Sequence, residues 1–237
     1  MSEPQLPRVV VNRSHQRQRL HRHGESRLIL FLSGELVETS FGNTGRFVRG
    51  DLLFRPAFYA HADRAGGFGS RYIHLPVSSA GVRAYAKNRN WIPARGRVAI
   101  DVLPLKSFLS SPLSGDRLLE SLSDDAYTAP PANTPLVRAS HRLAAEHDVR
   151  IADLSESLEI CPYAFTRTFA REFGMTPRSY RRQARLQRAM SLLAADGCSL
   201  SQIAAASGHF DQSHLTRNLK RETGFTPLEF RIAAGLR

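Results

Sequence analysis

The feature that most constrains this chain is a short stretch that occurs twice, fifty residues apart. Residues 171–177 read Arg-Glu-Phe-Gly-Met-Thr-Pro and residues 221–227 read Arg-Glu-Thr-Gly-Phe-Thr-Pro, with five identities in seven. An internal duplication of this kind predicts two copies of one structural unit. The C-terminal part of the chain is therefore expected to fold as a repeat.

Each copy has the pattern of a short helix, a turn and a second helix. In the second copy, residues 200–207 are amphipathic, Gly208 suits the end of a helix, and Asp211 suits the cap of the next one. In the first copy, Cys161 stands where a Ser cap is expected. The pattern predicts helix-turn-helix motifs at about residues 151–173 and 200–222.

The second helix of each copy has one apolar face and one face that suits DNA. Leu215 and Leu219 are four residues apart and share a face, as Phe165 and Phe169 do in the first copy. Gln, Ser, Thr and Arg reach base edges and phosphates, and Arg to guanine is the commonest specific contact in the major groove. The pattern predicts nine residues that contact DNA: Tyr163, Thr166, Arg167, Arg171, Gln212, Ser213, Thr216, Arg217 and Lys220. Of these, Arg167 and Arg217 are predicted to contact bases.

A run of residues near the C-terminus completes the second copy: Gly208, residues 211–215 reading Asp-Gln-Ser-His-Leu, Arg217, Lys220, Gly224 and Thr226-Pro227. With two motifs at a fixed offset, this run makes residues from about 135 to 233 resemble the DNA-binding domain of the AraC/XylS family of bacterial transcription regulators. The resemblance implies sequence-specific binding of promoter or operator DNA. RNA polymerase is a further partner if the protein is an activator.

The sequence departs from the family pattern at the turns. Glu159 replaces the Gly usual in the first turn. His209-Phe210 stands where the family mostly has Phe followed by a small polar residue, and Leu219 replaces a common Phe. A residue other than Gly in a turn that needs positive φ costs about 1 kcal/mol. The first motif is therefore expected to be held less firmly than the second.

Residues 177–195 predict a helix that sets the distance between the two motifs. About nineteen helical residues span roughly 28 Å, close to the roughly 34 Å between successive major grooves on one face of B-DNA. One chain can therefore place two recognition helices in adjacent grooves. Beside the apolar positions lies a stripe of arginines for which the sequence leaves phosphate contact and plain solvation open: Arg178, Arg181, Arg182, Arg185 and Arg188.

The charge balance favours a polyanionic partner. The 237 residues, enough for two modest domains, carry a formal net charge of +12, and only three of the 33 basic residues are lysines. Residues 1–133 have 18 basic and 11 acidic side chains and residues 134–237 have 15 and 10, so charge does not locate the DNA-binding part. With two cysteines, no secretory leader and no apolar run of membrane length, we expect a cytoplasmic, nucleoid-associated protein that does not contact membranes.

Residues 1–80 predict a different fold from the repeat. Short apolar runs alternate with Gly-rich and polar turns, which is typical of a small β-sandwich or barrel. Residues 21–34, beginning His-Arg-His, and residues 50–61, ending Phe-Tyr-Ala-His, resemble the cupin pattern. Many AraC/XylS regulators carry a cupin-like sensor before the DNA-binding domain. The expected class is α+β: a cupin-like β-sandwich or barrel followed by an all-α domain with two helix-turn-helix motifs joined by a long linker helix.

The cupin pattern would make His21, His23 and His61 ligands of a metal ion. The fourth ligand of the pattern, usually Glu, falls on Arg27, and a guanidinium there would repel a divalent cation. We therefore expect no metal and no cofactor, and a small organic effector near Arg27, His61 and Arg71 at the mouth of the barrel. The alternative reading gives these histidines only packing or surface roles.

The middle of the chain predicts short helices at 82–89, 102–109 and 115–122 and a linker at 124–135. The family resemblance implies that these helices mediate dimerisation, but two motifs per chain let a monomer fill an asymmetric site, so the sequence leaves monomer and homodimer open. The domain division is then 1–80 for the sensor, 81–133 for helices and linker, and 134–237 for DNA binding.

An alternative function is a metal-dependent cupin enzyme that the C-terminal domain targets to DNA. The replacement of the fourth metal ligand by Arg27 argues against it, as does the lack of a paired acid and base or an activated nucleophile. We expect a regulator without enzymatic activity.

Overall fold

The computed structural model describes residues 7–41, 43–75, 77–88, 93–98, 114–119, 122, 134–146, 148–195 and 197–233. The strands are β1 Arg8–Asn12, β2 Arg17–His21, β3 Arg27–Ser40, β4 Asn43–Val48, β5 Asp51–Arg55, β6 His61–Leu75 and β7 Ala94–Arg97. The helices are α1 Ser79–Asn88, α2 Ser114–Leu119, α3 Pro135–Ala145, α4 Ile151–Glu156, α5 Pro162–Phe173, α6 Pro177–Ala194, α7 Leu200–Ala206, α8 Gln212–Thr223 and α9 Pro227–Ala233.

The N-terminal sheet is built around its two long strands, β3 and β6. They pair antiparallel over most of their length, and the sheet order is β1-β6-β3-β5-β7, with β2 on β6 and β4 on β3. The register of the long pair shifts near Gly34, where φ is +73° and a Cβ would lie 2.2 Å from the carbonyl oxygen of Gly69. The irregularity lets the two strands bend together. A strand-rich N-terminal part followed by a helical part confirms the expected α+β class.

Strand β5 and residues 28–31 of β3 are buried on both faces of the sheet. Successive residues of this part of β3, such as Leu28 and Ile29, belong to two different apolar clusters, which explains the unbroken apolar run at residues 28–32. Tyr85 of α1 and Leu119 of α2 cover one of these faces. The helices next to the sheet are thus part of its core.

Among the described residues after position 80, one strand was not predicted from the sequence. Strand β7, reading Ala-Arg-Gly-Arg, pairs antiparallel with β5. Its four residues lack the apolar alternation that marks a strand, so only pairing with the sheet defines it. The helix expected at 102–109 and most of the expected linker lie outside the described residues.

The C-terminal helices confirm both predicted motifs. Helices α4 and α5 form the first, α7 and α8 form the second, and the 18-residue α6 joins them over about 27 Å. The Sγ atom of Cys161 accepts the backbone N–H of Ala164 at the start of α5, as predicted for a Ser-like cap. Asp211 accepts the N–H of His214 at the start of α8, and Ser199 forms a capping box with Gln202.

The sheet and the second motif share one apolar core through Phe58. This side chain is 6% exposed, and its ring lies 5.6 Å from that of Phe225 and 5.5 Å from that of Phe230. The same cluster contains Leu215 and Leu219 of α8. The two halves of the chain are therefore packed together.

None of the helices among the described residues combines the length and the apolarity that crossing a membrane requires.

Candidate DNA-binding surface and histidine cluster

Helix α5 presents most of its predicted DNA-contacting residues to solvent. Tyr163 is 77% exposed and Arg167 and Arg171 are exposed, while Phe165 and Phe169 on the opposite face are completely buried. Thr166 is half-buried and donates its hydroxyl to the carbonyl of Pro162 at 2.9 Å, so its hydroxyl hydrogen is already used within the helix. Burial of Phe165 and Phe169 on one side of α5 thus fixes which side of the helix faces solvent.

Helix α8 repeats this arrangement. Of its residues predicted to contact DNA, Gln212, Ser213, Arg217 and Lys220 are exposed, while Thr216 is half-buried. Beside this face lies a side-chain network in which Arg221 and His214 both bond to Asn218, at 2.8 and 3.0 Å. The guanidinium of Arg221, one helical turn after Arg217, is thus held by Asn218.

The two turns reach the left-handed conformation at different positions. The left-handed residues are Glu159, with φ +55°, and Gly208, with φ +74°. Glu159 lies two residues before the cap Cys161, whereas Gly208 lies three residues before the cap Asp211. In both turns the next N–H bonds back to the leading helix, from Ile160 to Ser155 and from His209 to Ala204. This is the Schellman pattern that ends many helices. The positive φ predicted at Glu159 is thus present. When the copies are aligned at an offset of fifty residues, Gly208 corresponds to Leu158, so the left-handed residue differs by one position between the two turns.

Replacement of Glu159 by Gly is expected to raise the free energy of unfolding of the chain by about 0.5–1 kcal/mol, because Gly adopts positive φ without steric cost. The matched substitution Gly224→Ala, at φ +82° with nothing within 4 Å of the added Cβ, should lower it by about 1 kcal/mol. Chemical denaturation measures both. Equal effects of the two variants would refute backbone strain as the cause.

The arginine stripe on α6 does not act as one surface. Arg181 donates to the backbone carbonyl of Val149, which joins α6 to the start of the first motif. Arg182 lies 3.8 Å from Glu222 of α8, and Arg178 and Arg188 are exposed. The sequence left phosphate contact and plain solvation open for these arginines. The structure gives Arg181 a structural role and leaves the exposed arginines available to phosphates.

In the N-terminal domain, the structure brings together the three histidines His21, His23 and His61. Their ring centroids lie 4.3 to 5.2 Å apart, and one ligand atom from each falls within 4.8 Å of the others. His61 is fully buried, whereas His21 and His23 are half-buried. Cross-strand pairing of β2 with β6, which sets His21 opposite His61, positions the group.

Buried charged residues adjoin the histidines. Glu38 accepts a hydrogen bond from Arg55, whose guanidinium also lies 3.6 Å from Asp63. Burial raises the pKa of Asp63 to about 7, against the opposing effect of Arg55. Asp63 lies two residues after His61, and one of its carboxylate oxygens is 3.8 Å from His61 Nε2. Asp63 and Glu38 were not singled out from the sequence, although the His-x-Asp spacing places His61 and Asp63 on one side of a strand.

Burial lowers the pKa of all three imidazoles below the ordinary value of histidine, which favours their neutral form. Burial, with help from the Arg27 and Arg55 guanidinium groups, lowers the pKa of His23 to about 3. Burial and Arg55 also lower the pKa of His61 well below its ordinary value. A neutral imidazole keeps a lone pair on one nitrogen, which is the state that binds metal ions.

The residues expected to hold an effector are not all in one place. Arg27 and His61 adjoin the histidine cluster, where Arg27 pairs with Glu25 at 2.7 Å. Arg71 is exposed on β6, between Val11 and Ser33 of the neighbouring strands. It comes ten residues after His61 in β6, so the two side chains lie towards opposite ends of that strand.

A cleft of about 640 Å³ lies between the sheet and the first helix-turn-helix motif. Apolar side chains such as Phe41 and Tyr180 line it together with arginines from both sides, including Arg19 of β2 and Arg171 of α5. It has the size of a small-molecule site. Its walls come from the N-terminal sheet and from the helical domain, so a ligand in the cleft would contact both.

Two capped helix-turn-helix units, joined by one helix and each exposing Arg beside Gln, Ser, Thr or Tyr, define a DNA-binding domain of the two-motif type. A sequence-family profile described as "Helix-turn-helix domain" matches residues 154–233. This match agrees with the two helix-turn-helix motifs of the structure and with the resemblance drawn from the sequence.

Known regulators are similar to parts of this chain. A curated relative, the uncharacterized HTH-type transcriptional regulator YidL of Escherichia coli (strain K12), is 32% identical over 77 residues, or 32% of this chain and 26% of YidL. The transcriptional activator RhrA of Rhizobium meliloti (strain 1021) is 34% identical over 125 residues, or 49% of this chain and 40% of RhrA. The alignments thus span less than half of either relative.

Among solved structures, that of ToxT from Vibrio cholerae with a bound unsaturated fatty acid aligns with a TM-score of 0.39 and 11% identity. The alignment covers 95% of this chain and 94% of the ToxT chain.

Proposed function

We propose that this protein is a transcription regulator that reads two successive major grooves of double-stranded DNA with its two helix-turn-helix motifs. The observation that carries the proposal is the pair of exposed polar faces on α5 and α8, separated by an 18-residue helix. That helix has about the length needed to place the motifs one turn of B-DNA apart. The match of residues 154–233 to an AraC-type domain supports it.

The exposed arginines are the proposed base readers. Arg167 and Arg217 occupy corresponding positions on α5 and α8 and are exposed beside buried anchors. A guanidinium can donate two hydrogen bonds to guanine O6 and N7. Tyr163, Gln212 and Ser213 add contacts to bases or phosphates, as do Thr166, Arg171, Thr216 and Lys220 near the edges of the two faces.

The N-terminal domain is the proposed sensor. An effector in the cleft beside β2 would touch both the sheet and the first motif, and the arginines that line it favour a small organic anion. This location replaces the one near Arg71, which is exposed away from the histidines. The test is a screen of small organic anions for ligands that change DNA affinity; loss of the response in Arg19→Ala and Arg64→Ala, which line the cleft outside the DNA-binding surface, would support the cleft.

The remaining partners and the domain limits are also part of the proposal. The relative RhrA is named a transcriptional activator. If this protein also activates transcription, it contacts RNA polymerase. The helices after β6 pack on the sheet, so the sensor extends past residue 80 to include α1, β7 and α2. A homodimer through these helices stays a prediction. A cupin-type enzyme is not proposed, because the family match and the relatives point to regulation.

Deletion of the gene followed by RNA profiling tests the regulatory role. A restricted set of transcripts should change and should be restored by the wild-type gene. The double variant Arg167→Ala/Arg217→Ala, which leaves both apolar cores intact, should not restore them. Full restoration by the double variant would contradict the proposed role of the two faces.

A further inference from the structure

The turn that leads into α8 exposes a large apolar side chain. Phe210 is 93% exposed and immediately precedes Asp211, the cap of α8. The first two residues of α8, Gln212 and Ser213, are exposed as well. Single apolar residues on a protein surface are ordinary, but this one borders the polar side chains that suit a base edge. Phe210 therefore adjoins the end of α8 that enters the major groove in the proposed mode of binding.

The turn fixes the outward orientation of Phe210. The inward position belongs to His209, whose ring is 6% exposed and whose Nδ1 atom lies 2.8 Å from the hydroxyl of the buried Ser207. On the other side, the backbone N–H of Phe210 donates to Nδ1 of His214 at 3.3 Å. Because His209 fills the inward position, the ring of Phe210 remains in solvent until a partner covers it.

The first motif has no counterpart of this side chain. At an offset of fifty residues Phe210 corresponds to Ile160, which is half-buried and packs against the core of the first motif. The AraC/XylS pattern mostly has Phe followed by a small polar residue where His209-Phe210 stands. This chain thus has an imidazole inside and an aromatic ring outside. The exposed ring is therefore a feature of this chain and not of the repeated unit.

An apolar contact in the major groove selects one base. The groove offers a single methyl group, at C5 of thymine, and Phe is among the side chains that contact it. A recognition helix lies in the groove with its N-terminal residues against the base edges, so the residue before its cap lies at one end of the sequence that it reads. The carboxylate of Asp211 accepts the N–H of His214 at 2.6 Å, at the positive end of α8, which reduces its repulsion of phosphates.

We propose that Phe210 contacts the C5 methyl group of a thymine at one end of the base sequence read by α8, and so adds a specified base pair to that half of the site. The inference rests on the proposed DNA-binding function and deepens it. The first motif lacks this contact, because Ile160 packs on its core. The two halves of the site are therefore expected to differ, with a thymine required at one end of the box that Arg217 reads.

Removal of the methyl group from the DNA tests the contact directly. The duplex that the full-length protein selects from random DNA is prepared with deoxyuridine, which lacks the C5 methyl group, in place of each thymine in turn. The box bound by α8 is the one that selection with Arg217→Ala degrades. One substitution at an end of this box should weaken wild-type binding about three- to fivefold, the effect of about one methyl group removed from an apolar contact.

Variants at position 210 assign the effect to the ring. Phe210→Ala should lose at least the same factor in affinity for the thymine duplex and should bind the thymine and deoxyuridine duplexes equally. Phe210→Leu, which keeps an apolar side chain, should retain part of the preference for thymine. Phe68→Ala is the matched control, because it removes a comparably exposed phenylalanine from the sheet, and it should bind both duplexes as the wild type does.

The outcomes separate this inference from the function on which it rests. An α8 box without a thymine at either end, equal binding of the two duplexes by the wild type, or an unchanged thymine preference in Phe210→Ala would overturn the contact alone. Unaltered DNA binding by Phe210→Ala with loss of transcription activation would also overturn it, in favour of a contact with RNA polymerase. Failure of the wild type to select any sequence would refute the proposed function itself, and the contact with it.

Discussion

Arg217→Ala is expected to weaken binding to the specific DNA site by about 10- to 100-fold, or about 1–3 kcal/mol, and to relax the preference at one or two base pairs. The reason is that Arg217 is exposed on the polar face of α8, where its guanidinium can bond to guanine with two donors. Its removal also exposes no core residue, since Leu215 and Leu219 remain buried beneath the helix. Titrations of the specific site and of its single-base variants measure both effects.

The control for this prediction lies on the same helix. Arg221 carries the same charge one helical turn after Arg217, but its guanidinium donates to Asn218 at 2.8 Å and to Glu222 at 3.3 Å. Arg221→Ala should reduce the affinity for all sequences by a similar, smaller factor and should leave base preference unchanged. If both variants lost affinity and specificity equally, the division of α8 into a reading face and a supporting face would be wrong.

Phe58→Ala is expected to destabilise the full chain by about 3–5 kcal/mol, the usual cost of removing a buried aromatic ring. The ring lies in the apolar core that the sheet shares with the helical domain, where it contacts Phe225 and Phe230. The cavity should separate the unfolding of the two domains, because the shared core couples them. Denaturation followed by far-ultraviolet circular dichroism would then show two transitions in place of one.

Phe68→Ala provides the comparison for this substitution. Phe68 lies on the same sheet but is completely exposed, so its removal should change the free energy of unfolding by less than about 0.5 kcal/mol. An equal response of the two variants would mean that Phe58 does not hold the domains together.

The helical domain could be predicted from the sequence because its signals are local. Caps such as Cys161 and Asp211 act within three residues, and the apolar spacing of Phe165 and Phe169 fixes the buried face. The left-handed Glu159 was also predicted, because a turn between two motif helices needs one residue with positive φ. These features depend on neighbours along the chain.

The sheet and the candidate sensor site depend on contacts between distant residues. Strand β7 has no apolar alternation, and its pairing with β5 defines it. Arg27 was expected to face the histidines without compensation, but the nearby Glu25 pairs with it. The burial of Glu38 and Asp63 beside Arg55 follows from the strand register, which the sequence does not reveal. The docking of Phe58 on the helices was likewise invisible, since it joins residues far apart in the chain.

Selection of bound sequences from random duplex DNA, with the full-length protein at near-physiological salt, tests the central claim most directly. Two grooves read by one chain predict a site with two short boxes about 10 base pairs apart. Selection with Arg217→Ala should degrade one box and keep the other, because Arg167 on α5 is unchanged. Recovery of a single box, or of sequence-independent and strongly salt-dependent binding alone, would contradict the two-motif reader.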